Sequence, residues 1–474
     1  MSRILLYGLC PLPFENAPRT FGPGIRSWQF ARGLAAAGHR VRLVACEIPG
    51  AYDGKRLVRG ESRDGVEIER VDEVMFLDRR ALERHLAEHR PDGLVGATVH
   101  GAYALARLDP SLPLFADQFG HFMAEAQARA AREGENWPLA HFWSKQREVL
   151  RRADKFSVVS ARQRYAAIGE LGAVGRLTAE TCGYEFACVI PCAFVPGPPP
   201  EAAGAVRGRL TPGDAFVVLW SGGYNVWSDV ETLAAGLEGA MRENPRVHFV
   251  STGGEIAGQD EKTYRELLAR IAASPFSERC HLEGWLPAGR VPAYVAEADL
   301  GVLTEKPIYE GLLGDKSRVV QWMGHGLAVA CNRVGDLGDR LAGGNLGLTF
   351  APGDAPALAR HILWAADNPE PLRQMAQRAR RHALEELSFE ATTRPLQEWA
   401  KRPTFSPDAA SRSRIASPLD HASLRQRLSA FARRFEWLAR SRVLRATWRG
   451  LFAVVGKAWE AIRRPTAPTR GTRP

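Results

Sequence analysis

Residues 22–45 read GPGIRSWQFARGLAAAGHRVRLVA, and their pattern decides the fold. From Ile25 onward the apolar residues recur at helical spacing, and Gly38 closes the run as a C-terminal glycine does. Just upstream, RILLYG (3–8) is a short apolar run with the character of a buried strand, and Val41–Ala45 downstream is another. Strand, glycine-bearing loop, amphipathic helix and strand in that order open a doubly wound α/β domain.

The alternation continues outward, with strands expected at Gly93–Ala97, Leu114–Phe115 and Phe156–Val159. The segment PCAFVPGPPPEAAGAVRG (191–208) then breaks it with prolines and glycines, as a linker between domains does. Beyond it the pattern restarts. AFVVLW, VHFVST, CHLEG, LGVLT and LAVAC read as strands, with helices between them at 229–241, 261–272 and 291–298. The expected fold is therefore α/β, with two Rossmann-like domains and a C-terminal amphipathic helical tail. We place the domains at 1–195 and 216–385, with a linker at 196–215 between them. A returning helix at 386–401, ending a helical run over Pro371–Trp399, leads to a polar linker at 402–420 and a tail at 421–474.

At 474 residues, two domains plus extensions are the natural expectation. The 45% hydrophobic and 24% charged content is that of a globular chain. No secretory signal is expected, because RILLYG follows the first Met without an apolar leader or cleavage site, and no run is long enough to cross a membrane. The seven cysteines lack CxxC pairing, so we expect reduced, buried thiols in a cytoplasmic protein and no metal site at Cys182, Cys188 and Cys192. The net charge of +10 is concentrated. Residues 421–474 hold thirteen Arg and Lys against Glu436 and Glu460, which accounts for the whole positive balance.

Glycine-rich turns mark where a ligand would sit. Gly22 and Gly24 stand at a helix start, where amides and the helix dipole receive an anion. Ser27 takes the third glycine position of a dinucleotide fingerprint, which disfavours a nicotinamide enzyme. LWSGGYNVWSDVETL repeats the strand–glycine–helix pattern, with Ser221, Gly222, Gly223 and Asn225 able to approach a phosphate, and STGGE adds Gly254. Two such loops at neighbouring strand ends mark the crevice of an open α/β sheet. Trp285 follows a strand directly and is placed to stack on a base or to fill the core. In FADQFGHFMAEAQ, the spacing puts Asp117, His121 and Glu125 on one polar stripe if the stretch is helical, which suits acid–base or hydroxyl-binding work.

Taken together, GPGIRSWQFARGLAAAGHRVRLVA, SGG after a strand, EGWLPAGRVPAYVAEADLGVLT and YEGLLGDKSRVVQWMGHGLAVAC (309–331) resemble the GT-B glycosyltransferases of the retaining family-four group. The resemblance runs from Met1 to about Trp399. It implies a hexosyltransferase with an acceptor-side first domain and a nucleotide-sugar donor in the second. No metal or other cofactor is implied, the nucleotide-sugar being a co-substrate. Glu310 falls on the first glutamate of the family's E-x7-E motif and Arg318 on the second, while the Arg and Lys usual after the first donor-domain strand are absent from SGGYNVWSDVETL. The resemblance therefore implies that Lys316 and Arg318 meet the diphosphate in their place, with Ser317 capping the next helix. It further implies that Glu310 binds sugar or ribose hydroxyls, that His121 and Asp117 face the sugar, and that the cleft closes about the linker. Asp315 is expected to be a solvated loop acid.

In the tail, Leu424, Leu428, Phe431, Phe435 and Leu438, then Val443 to Ile462, recur at helical spacing among arginines. This suits an anionic membrane surface met through 421–464 and argues against nucleic acid. The overall expectation is a cytoplasmic enzyme, peripheral at the cytoplasmic face of the inner membrane, that passes a sugar to a lipid-linked or cell-surface polysaccharide acceptor. The alternatives are a GT-B sugar-nucleotide epimerase and a non-catalytic GT-B scaffold.

Overall fold

The computed structural model describes residues 1–412 apart from 16, 20, 53–59, 109–110, 198–203 and 257. The tail at 421–474, and with it the membrane expectation, lies outside the described residues. Two sheets carry the chain. The first has eight strands in the order Gly60–Arg63, Val66–Val71, Arg40–Glu47, Arg3–Cys10, Gly93–Gly96, Leu114–Gln118, Lys155–Val158 and Ala187–Val189. All neighbours are parallel except the Gly60–Arg63/Val66–Val71 hairpin. The second has six parallel strands in the order Cys280–Gly284, Val247–Thr252, Phe216–Ser221, Leu300–Leu303, Ala328–Asn332 and Leu348–Phe350.

The central strands are buried throughout, as parallel strands covered by helices on both faces must be. The helix expected from the opening stretch spans Gly22–Ala36. Gly24 inside it is demanded by packing, because a Cβ there would lie 1.8 Å from the Pro11 carbonyl oxygen. The second core wraps the Phe216–Ser221 strand and accepts Phe119 from the first half.

The two halves are tied at several points. The helices Phe389–Thr392 and Arg394–Lys401 return to the first half, where Phe389, Leu396 and Ala400 enter its core and Gln29 Nε2 donates to Thr392 Oγ1 at 2.8 Å. Where the linker ends, the Glu297 carboxylate accepts the amides of Gly204, Ala205, Val206 and Arg207 at 2.5–2.9 Å. Those amides hold the Glu297 pKa below the usual carboxylate range against the pull of burial.

Two expectations are corrected and one element is added. Residues 403–412 are docked onto the first half: Asp408 is fully buried against Arg176, and Ser406 and Arg412 bond Asp154. The cysteines are free, but Cys182 is exposed and Cys280 only half-buried. The hairpin at residues 60–71 was missed, although Asp64-Gly65, with φ of 49° and 79°, is a two-residue hairpin signal between alternating residues. Among the described residues no helix is long and apolar enough to cross a membrane.

Removing one partner of a buried pair strands the other charge, so Asp408→Ala should destabilise the protein by about 3–5 kcal/mol. Urea unfolding followed by circular dichroism checks this. A loss below about 1 kcal/mol would mean that residues 403–412 are only loosely held.

Candidate active site

The glycine loop after the Phe216–Ser221 strand forms one wall of the cleft between the sheets. Its backbone is bent by Gly222 at φ +93°, in the left-handed region that favours glycine. The Ser221 hydroxyl and the Gly222 amide are already engaged. Ser221 Oγ accepts from Trp322 Nε1 at 2.9 Å, and the Gly222 amide donates to the Thr252 carbonyl at 2.7 Å. The Gly222 amide is therefore not free to hold a phosphate, whereas Ser221, which only accepts here, keeps its O–H donor. Asn225 keeps its Oδ1 buried without a partner among the described residues. Gly254 accepts from the Tyr224 amide, and Trp285 packs against Gly223 and Gly254 while donating to the Glu255 carbonyl at 2.7 Å. Arg19 of the first half lies over the Trp285 ring, 5.0 Å from its centroid.

Arg318 runs beneath this loop. Its Nη2 donates to the Gly223 carbonyl at 2.7 Å, its guanidinium carbon lies 4.7 Å from the Trp220 ring centroid, and its Nη1 is buried without a partner among the described residues. Burial lowers its pKa, but a guanidinium stays charged at any physiological pH. The cation thus arrives under the glycines with one donor group unspent.

Lys316 is arranged differently. Its Nζ sits 3.1 Å from Glu305 and 3.0 Å from Glu310, over the Trp227 ring. Burial would lower its pKa, but the two carboxylates hold it above the ordinary ammonium range. Burial raises Glu305, and Lys316 opposes that rise. The Lys316 charge is therefore spent inside the protein, which corrects its reading as a free cation for the diphosphate. Glu305 had not been singled out in the sequence, because nothing in GVLTEKPIYE distinguishes it from a loop acid.

The rest of the 309–318 loop is clamped. Asp315 Oδ2 accepts the Cys192 amide at 2.8 Å, so it joins the halves and is not a solvated acid. Ser317 begins the helix Ser317–His325 but makes no capping bond; Lys316 occupies the cap position. Ser160 Oγ donates to the Leu313 carbonyl at 2.5 Å, and Arg162 bonds Asp339 at 2.6 Å. Gln321, also unremarked in the sequence, accepts the Val195 amide and donates to the Ala193 carbonyl.

On the opposite wall the expected helical stripe divides. Asp117 lies on the strand Leu114–Gln118, His121 caps the helix Phe122–Glu133, and only Glu125 is within it. Asp117 is fully buried and takes Arg26 through two bonds of 2.7 and 3.0 Å, the Ser157 hydroxyl at 2.7 Å and the Thr98 amide at 3.1 Å. With its acceptor sites taken it is part of the frame, and its expected role at the sugar is withdrawn. Gly22 begins the helix Gly22–Ala36 beside Phe119.

His121 Nδ1 accepts the Ala124 amide at 3.1 Å, which leaves Nε2 to carry the proton toward Glu170 at 3.5 Å. Burial lowers the His121 pKa, so its neutral form is favoured. Burial also lifts Glu170 to about 7 and Glu125 to about 7, the latter with a further push from Glu310 across the cleft, opposed by Arg129 and Lys316. The Glu125 carboxylate makes no hydrogen bond or ion pair among the described residues and keeps partial solvent access. It lines the cleft wall facing the donor-side loop, and it is the acid of the stripe that the geometry leaves available.

Comparison with known proteins agrees with the two-sheet fold. The model of Glycosyltransferase Family 4 matches residues 22–177, and that of Glycosyl transferases group 1 matches residues 215–368. The chain is a GT-B glycosyltransferase. Sucrose-phosphate synthase from Thermosynechococcus elongatus is similar in structure at 17% identity and a TM-score of 0.62, over 85% of this chain and 98% of that one. HepE of Anabaena, solved in complex with UDP and glucose, is similar at 16% identity and a TM-score of 0.61, over 85% of this chain and 100% of its own. WaaG, a glycosyltransferase involved in lipopolysaccharide biosynthesis, shares 16% identity at a TM-score of 0.53, over 84% and 99%. No curated protein sequence matches the chain. Within the glycosyltransferase fold, the glycine loop with Arg318 belongs to the second half and the His121–Glu125 wall to the first.

The raised Glu170 gives a signed expectation for stability. Its folded pKa of about 7 exceeds the ordinary carboxyl value of 4.5, so stability should fall as pH rises from about 4.5 to about 7. Glu170→Gln should abolish that part of the fall, making the variant more stable than the parent at pH 8 by up to about 3 kcal/mol. Urea midpoints at pH 5 and pH 8 check it; parallel shifts of parent and variant would contradict it.

Proposed function

We propose that this glycosyltransferase moves a hexosyl unit, with retention, from a nucleotide-sugar to a lipid-linked or cell-surface polysaccharide acceptor. The observation that carries the reading is Arg318, buried beneath Gly222 and Gly223 with Nη1 unspent, opposite a wall that bears His121 and Glu125. In transfer from a nucleotide-sugar, negative charge grows on the departing diphosphate. A fixed guanidinium in a water-poor cleft stabilises that charge without having to reorganise. Glu310, held by Lys316 at the mouth of the Ser317–His325 helix, supplies carboxylate oxygens for sugar or ribose hydroxyls, and Glu125 faces it from the first half. Support for the acceptor class comes from the structural similarity to WaaG, and support for retention from the resemblance to the retaining group in sequence. For the basic tail, the alternation of apolar and arginine residues supports an anionic membrane surface as partner.

The first experiment screens UDP-, GDP-, ADP- and dTDP-sugars by thermal shift, since a ligand of the native state raises apparent stability. Acceptor-dependent release of nucleoside diphosphate follows; epimerised nucleotide-sugar with no net release would favour an epimerase instead, and release with free sugar a hydrolase. Arg318→Ala should lower kcat by about 10²–10³-fold, and an unchanged rate would sink the assignment.

The pH profile is a separate check. With Glu125 titrating at about 7, kcat/KM should rise through pH 7 if its carboxylate form serves the reaction, and Glu125→Gln should remove that limb along with most of the rate. A profile identical in parent and variant removes Glu125 from the chemistry. For the tail, protein ending at residue 412 should lose pelleting with anionic vesicles that the full chain shows.

A further inference from the structure

Basic and aromatic side chains gather on the first half at the carboxyl end of the Gly93–Gly96 strand, where open parallel sheets form a ligand-binding groove. The helix Thr98–Leu108 starts there from a strained residue. Thr98 is β-branched yet has φ +65°, is buried, and leaves its Oγ1 without a partner among the described residues. Such strain costs on the order of 1–3 kcal/mol and persists where surrounding contacts impose it; here the Thr98 amide is held by Asp117 at 3.1 Å. Two residues on, His100 keeps its ring exposed to solvent although protein crowds it closely, as for a group on the wall of a groove.

Around His100 the basic groups converge. Lys145 lies 5.8 Å from the Tyr103 ring centroid and makes no hydrogen bond or ion pair among the described residues. Burial lowers its pKa, and Glu73 is the acid that offsets this. His141, beside Trp137 and Phe142, adds another imidazole. Close crowding by protein, Lys145 and His141 all lower the His100 pKa, and a bound anion would oppose that shift. Phe122 touches both His100 and Phe142, and it follows His121 directly in the chain. The groove is thus continuous with the His121–Glu125 wall.

We propose that this groove binds the phosphate of a phosphorylated acceptor through Lys145, His100 and His141, with Tyr103 against the adjoining sugar ring. The proposal rests on the reading that the chain transfers a sugar, and it names the acceptor's chemical class. A partly buried ammonium whose nearby acid, Glu73, makes no ion pair with it is costly, and an anion supplies a direct partner. The positive end of the Thr98–Leu108 helix adds to the same field. A neutral glycan would leave Lys145 with only the distant field of Glu73. Phosphate offers several acceptor oxygens to the ammonium and the two imidazoles.

The test uses the full chain with ¹⁵N-labelled histidine, titrated with inorganic phosphate. The His100 resonance, assigned through His100→Gln, should move saturably. Half-saturation should rise at least tenfold in Lys145→Gln and be partly restored in Lys145→Arg. A motionless His100, or equal half-saturation in parent and Lys145→Gln, overturns the proposal. Two further arms separate the sources of the phosphate. A soluble sugar monophosphate and vesicles carrying a polyprenyl-diphosphate sugar are compared, and the one that moves His100 at lower concentration identifies the source. Equal response to a neutral glycoside or to a uronic acid also overturns it. In turnover, the loss in Lys145→Gln should fall on acceptor KM and not on donor KM. If phosphate binds as described but no donor yields nucleotide release, the groove stands and the transferase reading falls. If release occurs with neutral acceptors at parent rates in Lys145→Gln and phosphate moves nothing, the reverse holds.

Discussion

The first half is organised by the buried pair Arg26–Asp117. Both side chains are fully shielded from solvent, and their bidentate contact is completed by Ser157 and the Thr98 amide on the acid. Burying two charges is expensive, and only full hydrogen bonding offsets the desolvation. That requirement spreads outward. Arg26 Nη1 also donates to the Pro191 carbonyl, where the chain is leaving for the second half. Gln29, one turn along, bonds the same carbonyl and Thr392 on the returning segment. One ion pair thereby registers both crossings between the halves. By holding the Thr98 amide, it also fixes the strained turn that carries His100 to the groove wall.

On the second half the electrostatics divide into a spent cation and an unspent one. Lys316 answers Glu305 and Glu310, giving a rigid triad whose function is to set the position of Glu310 and of the helix behind it. Arg318, two residues later, lies one side of the helix away under the glycine loop, and its nearest polar bond is to a backbone carbonyl that carries no charge. The resemblance to the family-four group places an acid at that position. The structure makes the exchange intelligible: the donor-domain glycine loop lacks the usual Arg and Lys, and Arg318 brings a guanidinium to that loop from below.

The alternation of apolar runs and amphipathic helices was legible because parallel strands and their covering helices are long-wavelength features of the chain. The central strands and the Gly22–Ala36 helix came through within a few residues. Short edge elements were not: Leu348–Phe350 has three residues, too few for a period. At the site, the identities of Arg318 and Glu310 were legible from spacing against a known motif, and the Glu310–Lys316 pair from their nearness in sequence, whereas Glu305 and the Gly223 carbonyl were not. Glu305 and Lys316 meet only because a strand end and a helix start converge. Asp117 looked catalytic because an acid four residues before a histidine suggests a helical stripe. The strand Leu114–Gln118 runs through it instead and points it at Arg26, ninety-one residues away in sequence. Which acid of a stripe is satisfied and which is left free is a property of tertiary contacts, and Glu125 emerged only from them.

The free acid also ties protonation to the geometry of the cleft. Glu125 is raised first by burial and next by Glu310, which belongs to the other half, while Lys316 pulls in the opposite sense. Both donor-side influences act only while the 309–318 loop stays close, held by Ser160 on Leu313 and by Asp315 on Cys192. Separation of the halves would hydrate the carboxyl, remove the Glu310 repulsion, and return Glu125 toward the ordinary range. Closing the halves therefore favours proton uptake at neutral pH, and proton uptake favours closing, because both describe one thermodynamic cycle. A carboxyl poised in this way can accept a proton from a hydroxyl only when the cleft is assembled around it, which confines its basicity to the geometry in which a sugar and an acceptor are both enclosed.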